Sequence, residues 1–595
     1  MGAVAALAVA IPLVAAAAIA ATGQLLPPRV HDAAAIAAAA TTAALTFVLV
    51  ARTGGPRVVE WFGGWTPRHD NVAIGIDFAV DRFGAGIAAL AAVLVTAALV
   101  YSWSFFEEGG HFFPVLVLLF LGGMVGFALT GDLFNWFVFF ELMGVAAYAL
   151  TAYQVDETGP IQGAFNFTVT NSIGGFMVLA GIGLLYGRTG ALNLAQIGRQ
   201  LDERPPDGLV VAAFTLVAVG FLVKAAAVPF HWWLADAHAV APAPVCVLFS
   251  GVMVELGVFA FARLYWTAFE GTLGEHDLRP VVLGLGALTA LVGAVLCVLQ
   301  RHLKRLLAYS TISHVGIFLL GVGLLSGDGL AGAGVYALAH GLAKGSLFLV
   351  AGILINRHGT PDELLLRGRA VGSRGAALVY AAGGLALVGP PFLGVFLGKS
   401  LLEDGALEEG QSWVVVTAIV ASVLTAGAVL RAGARIFLGW GVGADPLLSP
   451  EPEEVEPLER ESPQRTVLVA SAGILVVGSL ALGLAPGLAP RAKAGAEQFR
   501  DRHAYVDEVL EAKRVEAKPL GGHHTKPESI VLGLVTLGGA LAVCAWGLRG
   551  HPLPRIAVAP LDRLRALHSG AIGDYVAWMV FGTAALGGLV TLAAR

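Results

Sequence analysis

Five ionisable side chains stand inside long apolar stretches of this sequence. Glu141 sits in FNWFVFFELMGVAAYAL, with no other charge between Asp132 and Asp156. Lys224 is the one charge in TLVAVGFLVKAAAVPF. Lys344 lies in YALAHGLAKGSLFLV, four residues after His340, a spacing that puts both basic groups on one helix face. Lys399 ends LVGPPFLGVFLGK, and Glu255 lies in SGVMVELGVFAF, nearer a helix end. A charge at the centre of a spanning helix costs about 2.5–3.5 kcal/mol on insertion scales and is a functional candidate by default. One such residue could fix helix packing, and Lys399 could reach the interface along its own stem. Four or five of them multiply the insertion cost in a way that packing alone does not justify. Desolvation and a neighbouring opposite charge pull proton affinity in opposite directions. Alternating acids and bases therefore make sites whose proton occupancy can be switched, which is what a proton or cation pathway across a membrane requires.

The elements that must hold these groups follow from hydropathy. Apolar windows of about 20 residues recur at 2–22, 32–52, 78–102, 112–130, 132–153, 163–187, 207–230, 242–265, 281–299, 305–326, 330–355, 373–398, 412–440, 465–486, 528–548 and 572–593. The pattern predicts sixteen membrane-spanning helices. Two of them carry breakers beside a lysine: Pro229 follows Lys224, and Pro390, Pro391 and Gly394 precede Lys399. Proline removes a backbone donor and kinks a helix. A helix broken at membrane depth is tolerated only where it is buried in protein or lines water. The two broken spans are the seventh and the twelfth, which suggests two five-helix repeats. An odd number of helices per repeat inverts one relative to the other, a common transporter plan with its sites in the broken helices.

Composition agrees. Of 595 residues, 57% are apolar and 13% charged, against about 25% charged in soluble domains. A soluble multidomain enzyme and a disordered chain are both excluded. The net charge of −5 is too small and mixed for nucleic acid binding. Cys246, Cys297 and Cys544 form no CxxC, so neither a disulfide framework nor an iron–sulfur site is expected. No GxGxxG or P-loop stands in a strand–turn–helix context, and no cofactor or metal is expected on the chain. Residues 1–22 hold no basic residue, so they read as a first spanning helix and not a secretory signal.

Basic residues cluster in alternate connections: Arg301, Lys304 and Arg305; Arg357, Arg367, Arg369 and Arg374; Arg549, Arg555, Arg563 and Arg565. The positive-inside rule makes that side cytoplasmic and puts both termini outside, with the acidic 403–409 loop also outside. Residues 1–110 are N-terminal helices, 111–270 the first repeat and 281–440 the second. Residues 441–464 form an acidic cytoplasmic linker, and 465–595 hold further helices with an amphipathic segment at 490–527. In that segment Phe499, Val506, Val509 and Leu510 share a face suited to the outer surface or a partner, with a solvated loop helix as the alternative.

Four blocks carry a family resemblance. VKAAAVPFHWWLADAHAVAPAPVCVLFSGVMVELGVFAFARL resembles the signature of the antiporter-like proton-translocating subunits of complex I, membrane-bound hydrogenases and Mrp-type cation/proton antiporters. RHLKRLLAYSTISHVGIFLLGVG, ALAHGLAKGSLFLVAG and FNWFVFFELM resemble three further blocks in the same order. The resemblance implies an all-α polytopic protein: a core of about fourteen helices with two inverted five-helix repeats, here followed by two extra C-terminal helices. It implies that Glu141 pairs with Lys224, that Lys344 is a central relay assisted by His340, and that Lys399 opens toward one side. His238, in the ADAH turn, would hydrate or relay, although a lone histidine is more often structural. Many members have lysine where this chain has Glu255. His302 replaces an acid, Cys246 a serine, and the proline pair is displaced by one residue, which marks a divergent branch.

The partners implied are other membrane subunits, the bilayer, and protons, with sodium as the other candidate ion and no nucleic acid. The 549–571 connection, at 1.5 Å per residue, spans at most about 35 Å, too short for the long lateral helix of the largest complex I subunit of this type. HSGAIGDYVAWMVFG nevertheless resembles the C-terminal block of some such subunits. Three readings follow: a proton-translocating subunit of a complex I-like or hydrogenase-like translocase, with no redox centre of its own; a subunit of an Mrp-type antiporter; and a non-conducting scaffold. Retention of Glu141, Lys224, Lys344 and Lys399 argues against the scaffold.

Overall fold

Away from water only a helix satisfies its own backbone groups strand by strand of chain, so each apolar run becomes a helix. The computed structural model describes all residues except 1–2, 69–71, 107–109, 204–206, 444, 446–447, 449–464, 514, 516–524, 551–554 and 594–595. The acidic stretch at 449–462 thus lies outside the described residues. Helices α1 (Ala3–Thr22) and α2 (Pro28–Arg52) lead into an antiparallel hairpin of β1 (Val58–Trp61) and β2 (Asp77–Val80). The span expected from residue 78 begins instead at Arg82, as α3 (Arg82–Phe105). Asp81 sets that start by accepting the Gly84 amide at 2.9 Å, while the four residues before it pair with β1.

The first repeat comprises α4 (Phe112–Leu129), α5 (Leu133–Thr151) and α6 (Thr158–Thr189), then a short helix, α7 (Leu194–Asp202), in the connection between two spans. The span expected at 207–230 is broken: α8 (Gly208–Lys224) stops at the lysine and α9 (Trp232–Val240) resumes after it. His238 therefore lies in a helix and not in a turn. The repeat closes with α10 (Ala243–Leu248), a π-helical turn at Phe249–Met253, and α11 (Val254–Leu264). The second repeat follows the same plan with α12 (Glu275–Leu299), α13 (Leu303–Gly323), α14 (Gly327–His358), the broken pair α15 (Arg374–Val388) and α16 (Gly394–Glu408), and α17 (Ser412–Leu438). In each repeat the third helix packs against both halves of the broken fourth: α6 on α8 and α9, α14 on α15 and α16. Lys399 falls in the second turn of α16 and not at a helix end, and the stretch at 403–409 read as a loop continues that helix to Glu408.

The chain ends with α18 (Arg465–Ala481), α19 (Leu488–Arg500), α20 (Arg502–Leu510), α21 (Pro527–Arg549), α22 (Arg555–Ala566) and α23 (Ile572–Ala593). Fourteen helices among the described residues are long and apolar enough to cross a membrane, and Gly208–Lys224 and Arg374–Val388, the first halves of the broken ones, are apolar but shorter than these. The protein is a multi-pass membrane protein, and these fourteen helices together with the two broken ones fall on the sixteen apolar runs of the sequence.

The amphipathic segment is two helices, and its apolar face is taken by this chain itself. Phe499 is 1% exposed, its ring 5.4 Å from Phe83 and 5.8 Å from Trp266, with the Arg263 guanidinium 3.6 Å above it. Arg57–Glu508 at 2.7 Å and Lys493–Asp328 at 2.6 Å fasten the segment down.

The breaks leave backbone groups that other elements satisfy. The Val223 carbonyl accepts Trp233 Nε1 at 3.0 Å, and the Val228 amide donates to Thr289 Oγ1 at 3.1 Å. In the second break Gly389 takes a φ of +72°, which a side chain would strain. Helix α16 lies so close to α14 that a Cβ on Gly332 would collide with the Leu402 amide. Gly332→Val should lower stability by about 1–3 kcal/mol through overpacking and reduce the detergent melting temperature, while Gly284→Val, which meets nothing within 4 Å, should change it little. Equal melting of the two variants would mean that this contact does not hold the break in place.

Candidate functional site

The ionisable groups singled out in the sequence come from α5, α8, α9, α11, α14 and α16. Lys224 terminates α8 at the first break and is fully buried. Its Nζ stands 4.2 Å from the centre of the Phe140 ring and makes no hydrogen bond to protein. A cation over an aromatic face is held by the ring quadrupole, so the ammonium is cushioned without being neutralised. Glu141 follows Phe140 in α5, partly buried, with its Oε1 against Gly175 of α6, where a Cβ would collide with it. Glu141 and Lys224 act on each other electrostatically, with no ion pair within 4 Å between them.

A second group surrounds the middle of α14. Lys344 is fully buried and donates to the Leu307 carbonyl at 2.9 Å and to Ser310 Oγ, both on α13. The neighbouring Thr311 donates to Ser250 Oγ at 3.0 Å, and Ser250 Oγ lies 2.7 Å from His238 Nε2. The other His238 nitrogen, Nδ1, lies 2.8 Å from the Leu234 carbonyl, which makes Nδ1 the protonated nitrogen and leaves Nε2 to accept from Ser250. Lys304, which the sequence reading counted among the loop charges, is fully buried beside this group and donates to the Ala241 carbonyl at 2.9 Å.

One helical turn along α14, His340 Nδ1 lies 3.0 Å from Glu255 Oε1. The His340 ring is 4.7 Å from that of His314, whose Nδ1 lies 2.8 Å from the Tyr336 hydroxyl. Glu255, His340 and His314 each keep one polar atom without a protein partner. Tyr336 leads to α16, because a Cβ on Gly398 would collide with the Tyr336 backbone. Next along α16 is Lys399, donating to Thr536 Oγ1 of α21 at 3.0 Å and lying 3.8 Å from Glu403.

Sequence reasoning missed Ser250, Ser310, Thr311, His314, Tyr336 and Thr536. The run LAYSTISHVG inside an apolar span is a signal that could have found three of them. Nothing local marks Thr536, which reaches Lys399 from a helix more than a hundred residues later.

Not every buried charge here is of this kind. Arg435 is bound by Glu363 and, at 2.7 Å, by Asp445, and Arg431 lies 3.2 Å from the same Glu363. Opposite charges in direct contact make a clamp. Among the described residues Lys224 and Lys344 have no carboxylate within ion-pair distance, and imidazoles, hydroxyls and carboxyls in hydrogen-bond sequence can pass a proton from one to the next.

Comparison with known proteins gives the family of this fold. Residues 130–425, from the start of α5 past both breaks, match the family described as NADH:quinone oxidoreductase/Mrp antiporter, TM. Over 373 residues the chain is 31% identical to NADH-quinone oxidoreductase subunit N of Desulforudis audaxviator, covering 62% of this chain and 72% of that one. A chain in the structure of the Mrp complex from Dietzia sp. DQ12-45-1b superposes with a TM-score of 0.74 at 28% identity, covering 86% of this chain and 100% of that one. A chain of the membrane-bound sulfane sulfur reductase, an archaeal respiratory membrane complex, gives 0.73 at 27% identity over 85% of this chain and 99% of that one. The chain belongs to the NADH:quinone oxidoreductase/Mrp antiporter transmembrane family and is an antiporter-like membrane subunit.

Proposed function

We propose that this chain carries protons across the membrane as one subunit of a multisubunit complex. The path runs from Glu141 and Lys224 in the first repeat, through His238 and Lys344, to His340, Glu255 and Lys399 in the second. The observation that carries the reading is the hydrogen-bonded sequence His238–Ser250–Thr311, which reaches α13 one residue from the Ser310 that holds Lys344. It joins the first broken helix to the centre of the second repeat. Both breaks lie beside a lysine, where a bending helix can admit water. The basic connections favour both termini on the outer side.

The driving reaction would sit on other chains. An Mrp-type cation/proton antiporter is the second reading, favoured by a match that spans the whole of the Dietzia chain. Sodium would then exchange against protons. Purification in mild detergent with identification of the co-purifying chains separates the two: redox subunits support a respiratory translocase, small membrane subunits an antiporter.

Replacing Lys344 by Ala removes a buried charge and so adds no insertion cost. Reconstituted complex carrying Lys344→Ala should assemble and lose at least about tenfold in proton flux, the equivalent of ~1.4 kcal/mol on the barrier. Flux at the normal rate would sink the relay and favour the scaffold. Glu255→Gln keeps the shape and a hydrogen bond to His340 but removes the charge. It should slow flux and shift its pH profile while assembly stays intact. An unchanged rate and profile would take Glu255 out of the path.

A further inference from the structure

We infer that the cleft between α3, α11, α13, α14 and α19 is a binding site for an anionic phospholipid, with the phosphate on Arg82 and Arg491 and one acyl chain in the slot beneath. The cavity measures about 550 Å³, and its exposed lining residues, Arg491, Ala51 and Gly54, stand with half-buried Arg82, which puts the mouth there. That volume is in the range of sites that hold small molecules. Between its two ends the walls are almost wholly apolar, with Leu90, Phe318 and Leu338 among them. Glu255, 2% exposed, is the buried polar residue of the lining.

The mouth calls for an anion. Arg82 Nη1 donates to the Arg491 carbonyl at 2.9 Å, which brings two guanidinium-bearing residues together at the start of α3. Neither has a carboxylate within ion-pair distance among the described residues. By contrast Lys493 and Arg502 of α19 and α20, and Arg57 packed against them, each have one. Two planar guanidiniums are suited to the oxygens of a phosphate.

Depth fits the same occupant. Arg82 to Leu90 is eight residues of helix, about 12 Å, against a hydrocarbon half-thickness of about 15 Å. The slot therefore descends from headgroup level nearly to the bilayer centre. Water filling it would find polar partners only at the ends, whereas a buried water needs two to four. A free phosphate would satisfy the mouth and leave the slot without an occupant. A chain lying in the slot keeps water from the Glu255–His340 contact, so the lipid also insulates this part of the protein from the surface.

The test places the full-length protein in vesicles containing phosphatidylglycerol with a photoreactive group in its acyl chain. Peptides holding Phe318 and Leu338 should be labelled, and labelling should fall several-fold in the Arg82→Gln/Arg491→Gln variant. Phosphatidylcholine with the same group should label the wild type several-fold less, a comparison that holds even if the variant folds poorly. Equal labelling by the two lipids, or no labelling at those peptides, would overturn the proposal. Rapid modification of Leu338→Cys by a membrane-impermeant thiol reagent would do the same, because it would mean a water-filled cleft.

Discussion

The ammonium of Lys344, held away from water, needs oxygen atoms of the protein around it, and it meets two of them on α13. This requirement governs the centre of the molecule. It ties α14 to α13 at one level, and on the same face of α14 His340 and Tyr336 face Glu255 and His314 at the next levels. A helix that carries three polar side chains inward can stay in a bilayer only if neighbours cover all of them. Helix α14 is accordingly packed by α3, α10, α13, α15, α16, α18 and α19. The second repeat is built around that single helix.

The broken helices answer a related constraint. Proline at Pro229 and at Pro390–Pro391 forfeits amides that a continuous helix would use, and the freed carbonyls must be served by side chains elsewhere. At the first break Trp233 donates to the Val223 carbonyl, and Thr289 Oγ1 accepts from the Val228 amide. The breaks are possible because they are enclosed by protein, and enclosure in turn demands small residues where backbones approach. Gly332 and Gly398 are those residues at the α14–α16 contact. The same closeness that permits the break brings Lys399 within reach of α21.

The parts outside the repeats are structurally engaged. Thr536 of α21 accepts from Lys399, so a C-terminal helix completes the environment of a residue in the second repeat. His568 and Tyr575 reach Asp236 of α9 at 2.9 and 2.7 Å, binding the last helix to the first break. Helices α19 and α20 lock the loop ends of the repeats with aromatic packing and ion pairs. Their apolar face is covered by Phe83 and Trp266, and it is not left for a second protein to cover.

Much of this was legible in the chain because hydropathy is a local property. Twenty apolar residues in a row have one stable form in a bilayer, and proline breaks a helix wherever it stands, so the crossings, both breaks and the residues Glu141, Lys224, Glu255, His340, Lys344 and Lys399 could be named from spacing alone. The hairpin at 58–80, the helical state of His238 and the extension of α16 through Glu403 escaped, since a cap, a strand partner and a helix restart depend on neighbours as much as on type. Lys304 looked like a loop charge because helix ends are where basic residues usually meet water, and only packing against the Ala241 carbonyl buries it. Which charges are clamped and which are left half-satisfied was likewise decided in three dimensions. Glu255 meets His340 across 85 residues and Lys399 meets Thr536 across 137. The chain alone marks which stretches are apolar enough to cross the membrane and which charges lie within them. The partner of each charge is set by helices that touch only after folding, because a hydrogen bond acts over about 3 Å whatever the separation along the sequence.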